Sequence, residues 1–247
     1  MNLRVPTPIL LGIILGMVAI LTALGVWQLQ RNDWKNQLVA ERNAHTTQAP
    51  LSSEGARTAD LADLDYRRFA SDGAWDHQRS FILGNRARLQ TRGEELVTPF
   101  LLTPDGPAVL VNRGWYPIAE RGAVLANLAS SADEQLEGLV RTGSGNGHET
   151  ASGTWTAIDP TIMGATLPYA VLDWIIIEGH EQAPGGTPPG ASLPLQGYLP
   201  YTSNTPHLEY AVTWLGLATV LIVVAAIRFI IEPRRAHRRE AESVTNR

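Results

Sequence analysis

The sequence predicts a membrane protein in which two transmembrane helices flank a mainly β extracytoplasmic domain, barrel- or sandwich-like and α+β in class. Three observations predict it. Ile9 to Trp27 carries no charge, Tyr210 to Ile231 is apolar except for Arg228, and the residues between alternate short apolar runs with turn residues. At about 1.5 Å per residue, either apolar run crosses a hydrocarbon core of roughly 30 Å.

The implied order is a short cytoplasmic N-terminus (1–8), a first span (9–27), an extracytoplasmic domain (28–207), a second span (208–231) and a basic cytoplasmic tail (232–247). The tail sets the orientation: residues 228–247 hold 6 Arg against 3 Glu, whereas residues 32–207 hold 12 Lys/Arg against 20 Asp/Glu. Positive charge near a span end stays cytoplasmic, so both termini fall on that side. Arg31, Lys35 and Arg42 after the first span pull the other way, but long domains are translocated largely regardless of charge. A cleaved signal peptide is the rival for the first span, with "ALG" at 23–25 as a small-x-small site. The run is longer than the usual signal core of about 7–15 residues.

Composition excludes several functions. The chain has no cysteine, which removes disulfides, thiolate metal sites, thiol redox chemistry and covalent c-type haem attachment. The acidic middle offers no basic face to nucleic acid. There is no G-x-S-x-G elbow, no H-E-x-x-H helix and no lysine-bearing nucleotide loop, so the chain is not read as an enzyme. "GSGNG" lacks the lysine of a phosphate loop. His148-Glu149 and His180-Glu181 lie in Gly- or Pro-rich loops and read as solvated histidines.

After the first span, "RNDWKNQLVAERN" keeps helical spacing with no Gly or Pro before Pro50, so the helix continues outward for about three turns and breaks near "TTQAP". "LSSEGARTADLADLD" reads as loop. The strand candidates are "YRRFASDGAW", "SFILGN", "ELVTPFLLT", "AVLVNRGW", "QLEGLVR", "AVLDWIII" and "LQGYLPY", with a helix near "DPTIMGATL". "FLLTPDGPAVLV" is a hairpin about Pro104-Asp105-Gly106. Together they predict a twisted antiparallel sheet. "RTGSGNGHETASG" and "APGGTPPGASLP" read as mobile loops.

Two regions carry candidate site residues. At the second membrane entry His207, Tyr210, Ala211, Trp214 and Ala218 share a helical stripe. Such a stripe lines a flat macrocycle with the imidazole as axial ligand to iron, or it is an aromatic belt at the lipid surface. Both readings stand. Both span ends meet the same outer interface, so a cleft there would join His207 to Arg31 and the first motif's tryptophans, and Arg31 suits carboxylates such as haem propionates. In "NRGWYP", Gly114 permits a close backbone approach and Trp115 and Tyr116 add amphipathic surface, or the motif is a strand end with a packed aromatic.

The ordered set "LGVWQLQRNDWK", "YRRFASDGAWD", "VNRGWYP" and "HLEYAVTWLGLA" resembles the surfeit locus protein 1 family, membrane proteins required for cytochrome c oxidase assembly. The similarity runs from about residue 9 to 231. It implies two membrane helices around an extracytoplasmic domain and a role in building the oxidase subunit that holds haem a. It also implies haem a as cofactor, with His207 as its ligand. Trp27, Gln28 and Arg31, and the pair Gly114 and Trp115, match positions by which the family is known. The implied partners are the oxidase catalytic subunit, haem a synthase and the bilayer. No Arg-rich, acid-poor transit segment precedes the first helix, which points to a prokaryotic plasma membrane. The alternative function is a cofactor-free membrane scaffold that stabilises a nascent oxidase subunit, with Gly216, Ala218 and Ala225 as helix-contact residues.

Overall fold

The computed structural model describes residues 6–88, 90–129, 134–143, 145–182, 192–202 and 205–231. The elements in chain order are α1 (Thr7–Thr47), α2 (Ser53–Thr58), α3 (Leu61–Leu64), β1 (Arg68–Asp72), β2 (Ala74–Trp75), β3 (Phe81–Arg88), β4 (Thr91–Leu101), β5 (Ala108–Pro117), α4 (Arg121–Ala129), β6 (Gln135–Thr142), α5 (Pro160–Gly164), β7 (Val171–Glu178) and α6 (His207–Ala226). They fall into two compact units, Met1–Val39 with Ser203–Arg247, and Ala40–Thr202.

The first unit holds α6 and the apolar part of α1, two helices long and apolar enough to cross a membrane. The helix α1 runs unbroken for 41 residues, as the lack of Gly and Pro after Gly25 predicts. It ends at Thr47, three residues before Pro50, which disfavours helical backbone at Ala49 and so blocks its continuation. Ala211, Leu215 and Ala218 lie on one face of α6, and the two alanines are buried. Leu215 meets Gly25, the one buried residue of α1. The α6 helix ends in a π turn, Ile227–Ile231. The basic tail lies outside the described residues.

The second unit is built on a seven-stranded sheet, a half-barrel ordered β1-β6-β7-β5-β4-β2, with β3 also pairing β4. The predicted hairpin is present, Leu101 pairing Ala108 across the turn. The sheet is mixed where a purely antiparallel one was expected, because β5 and β7 run parallel. After β5 the chain passes through α4 to β6, which pairs antiparallel with β1 and β7, and β7 then returns parallel beside β5.

Both faces of the sheet are covered, which is why β4 and β5 read as continuous apolar runs instead of alternating ones. Val109 and Val111 join Phe69, Phe100, Trp174 and Ile176 on one face, closed by Ala56 of α2 and Leu64 of α3. Leu110 and Val97 point the other way, toward Trp155 and Met163 of α5. Leu96 and Tyr116 are covered by Val124 and Leu128 of α4.

Three segments depart from expectation. The stretch expected as loop contains α2, whose N-cap Ser52 hydroxyl accepts from Gly55 N at 3.3 Å, and α3. The α4 helix was not foreseen, although Val124 and Leu128 stand at i, i+4. "LQGYLPY" forms no strand; Leu195 and Tyr198 make single bridges to Trp115 and Glu181. Most of the expected loop 183–194 lies outside the described residues.

Candidate functional site

Two helices build the candidate site in the first unit. Gln28 follows the buried Gly25 by one turn of α1, and His207 is the first residue of α6. The Gly25–Leu215 contact holds the helices together at this level, and His207 Nδ1 lies 2.9 Å from Gln28 Oε1. With the amide oxygen as the acceptor, as it is oriented here, Nδ1 is the donor and Nε2 the lone-pair nitrogen. His207 Nε2 is closed off from solvent and has no hydrogen-bond partner among the described residues. An unsatisfied buried polar atom costs about 1–3 kcal/mol.

The remaining stripe divides. Ala211 and Ala218 are buried, whereas Tyr210 is 50% exposed and Trp27 on α1 is 54% exposed. Trp214 is half-buried. Two aromatic faces are therefore open to lipid or to a flat ligand. Arg31 is not joined to His207: its guanidinium lies 4.1 Å above the Trp34 ring, a cation–π contact. That contact leaves its charge free of any carboxylate partner among the described residues. No group of three or more His, Asp or Glu among the described residues could hold a metal ion, so His207 stands as a lone imidazole.

The "NRGW" motif belongs to the second unit, and its geometry is structural. Gly114 has φ +110° at a β-bulge between Leu96 and Val97, and a Cβ there would lie 2.5 Å from Leu195 O. Asn112 supports the bulge, accepting from Gly114 N at 2.9 Å and donating to Glu95 at 3.0 Å. Trp115 Nε1 donates to Arg86 O at 3.0 Å. Between them Arg113, buried at 4% exposure, pairs with Glu178 and lies 3.7 Å above the Trp75 ring. Sequence reasoning missed this arginine, since a lone charge following an apolar run gives no sign that it is buried with a partner from another strand.

The arginines that line the cleft of this unit are paired. A cleft of about 700 Å³ is lined by Arg86, Arg121, Thr150, Ser152 and Trp155, with Arg86 paired to Glu95 and Arg121 to the buried Glu94. Arg42 lies over Tyr66 and Tyr201, 4.5 and 4.0 Å from the ring centres. His180 is exposed, and His148 Nδ1 lies 3.3 Å from the Thr156 hydroxyl.

The architecture is that of a protein with two apolar helices long enough to span a membrane and a mixed half-barrel domain between them in sequence. The model described as the SURF1 family matches residues 15–219, and the chain belongs to that family. The match takes in every candidate residue from Trp27 to Trp214. A SURF1-like protein of Monosiga brevicollis is 30% identical over 236 residues, 85% of this chain and 84% of that protein. Surfeit locus protein 1 of Homo sapiens is 27% identical over 216 residues, 79% and 69% of the two chains. The cytochrome oxidase assembly protein SHY1 of Saccharomyces cerevisiae is 31% identical over 133 residues, 52% of this chain and 34% of that protein.

Proposed function

We propose that this protein is a non-catalytic, membrane-anchored assembly factor for cytochrome oxidase that holds haem a and hands it to the oxidase catalytic subunit. The family and the name of the yeast relative support the assembly role. The observation that carries the haem reading is His207 Nε2, a buried nitrogen with no partner among the described residues, at the membrane entry of α6. An imidazole of this kind is a haem axial ligand by chemistry. Arg31 faces the propionates, and Trp27, Tyr210 and Trp214 pack on the ring. Because Nε2 is covered, ligation requires a local opening, and a single histidine keeps the cargo exchangeable. Haem a synthase is the upstream partner in this reading, and the proposed setting is a prokaryotic plasma membrane with both termini cytoplasmic.

The test is a reduced-minus-oxidised visible spectrum of the full chain, purified in mild detergent after co-expression with haem a synthesis enzymes, beside His207→Ala. A near-stoichiometric haem a band, lost or shifted in the variant, is expected. No band in either protein overturns the carrier role.

A second reading, a cofactor-free scaffold for a nascent oxidase subunit, draws support from Gly12, Gly16 and Gly216, where an added Cβ would meet no atom within 4 Å. Open small residues let a partner helix approach closely. Under this reading Gly216→Leu weakens association with the oxidase subunit and His207→Ala does not.

A further inference from the structure

We propose that Gln28 is a positioning residue for His207: by accepting the Nδ1–H hydrogen bond it fixes the imidazole tautomer and keeps the covered Nε2 as a lone-pair nitrogen, ready for an iron porphyrin once the site opens. The proposal deepens the haem-carrier reading and rests on it for the identity of the ligand.

Two facts meet at one ring. Nδ1 lies 2.9 Å from Gln28 Oε1, and Nε2 is buried without a partner among the described residues. A neutral imidazole has one N–H and one acceptor nitrogen. In the opposite tautomer the Gln28 amide would have to flip and present its NH2 to Nδ1, and Nε2–H would become a buried donor with no acceptor among the described residues. The oxygen-inward amide selects the Nδ1–H form, and that form alone leaves Nε2 able to bind a metal.

The position of Gln28 makes this a helix-to-helix device. Gly25, one turn earlier, lies against Leu215 of α6, so the same contact that joins the helices sets the amide beside the ring. Outer hydrogen-bond partners of metal-bound histidines orient the ring and tune its basicity. A carboxylate at position 28 would draw the Nδ1 proton and strengthen the nitrogen as a ligand. The neutral amide orients without that push, which suits cargo that has to leave. Gln28 therefore acts through His207 and does not itself stack on the macrocycle.

The experiment has two arms on the full chain in detergent. In the haem-free protein, the ¹⁵N shifts of His207 should show a protonated Nδ1 and a bare Nε2. Gln28→Leu should lose that bias and Gln28→Glu should keep it. In the second arm hemin is titrated into the same proteins and the reduced adducts are examined by resonance Raman. Gln28→Leu should bind about 10–100-fold more weakly, and Gln28→Glu should raise the iron–histidine stretching frequency. A protonated Nε2 in the parent, or a Gln28→Leu variant that matches the parent in affinity and stretch, overturns the proposal. Hemin binding undiminished in His207→Ala overturns the ligand role of His207 in the haem-carrier reading instead, and the ¹⁵N shifts still decide the Gln28–His207 arrangement.

Discussion

Gly25 of α1 and Leu215 of α6 approach so closely that a Cβ on Gly25 would lie 2.6 Å from Leu215 Cγ. In a bilayer the lipid tails are as apolar as leucine, so helices associate through close packing at small residues. Gly25→Leu should therefore destabilise the helix pair by about 1–3 kcal/mol, the usual penalty for overpacking. Unfolding of the detergent-solubilised chain by SDS reads this directly. Gly216→Leu is the control: it has open space around it and should leave the unfolding midpoint unchanged. Equal effects from the two variants would show that Gly25 is not a packing point.

Gly114 gives a second prediction. Its positive φ and its approach to Leu195 leave no room for a side chain, and the strained backbone alone costs about 1–3 kcal/mol in another residue. Gly114→Ala should lower the urea midpoint of the sheet domain, followed by tryptophan fluorescence. An Ala variant as stable as the parent would contradict the close contact between β5 and Leu195.

Acid stability should depend on Asp76. Burial works to raise its carboxyl, but hydrogen bonds from Arg79 and Tyr169, at 2.7 and 2.8 Å, together with the Arg79 charge, hold it below the ordinary value of 3.8. A lowered folded value contributes stability that is fully present above the ordinary value and is lost as pH falls through the folded one. Tyr169→Phe removes one of the lowering bonds, so acid unfolding followed by circular dichroism should begin at higher pH. Asp76→Asn should erase this part of the pH dependence. Superimposable acid limbs for Tyr169→Phe and the parent would exclude the linkage.

The sequence revealed what depends on local pattern. Pro104-Asp105-Gly106 forecast the β4–β5 turn, and the unbroken helical spacing through Arg42 forecast the length of α1. What it hid depends on pairing across distance. The parallel register of Ala108 with Val171 leaves no trace in either strand, since a doubly covered strand reads alike in either direction. Gln28 and His207 were each singled out, but their hydrogen bond spans 179 positions and follows only from the packing of Gly25 on Leu215. Arg31 and Trp34 were each noted along the first helix, but the contact of the guanidinium with the ring three residues on was not foreseen. Short helices such as α2 escaped because a single capped turn has too few residues to show a period.

The parallel β5–β7 pair has a consequence for biogenesis. Ribosomes deliver β4 and β5 together as a hairpin, but β7 arrives roughly sixty residues later. During that interval the far edge of Ala108–Asn112 presents unpaired backbone groups on an apolar ribbon, the kind of template that recruits a second strand from another chain. The nascent protein is thus most vulnerable to self-association after β5 has emerged and before β7 has. That window is set by strand order, and it narrows or widens with the pace of elongation across residues 118–170.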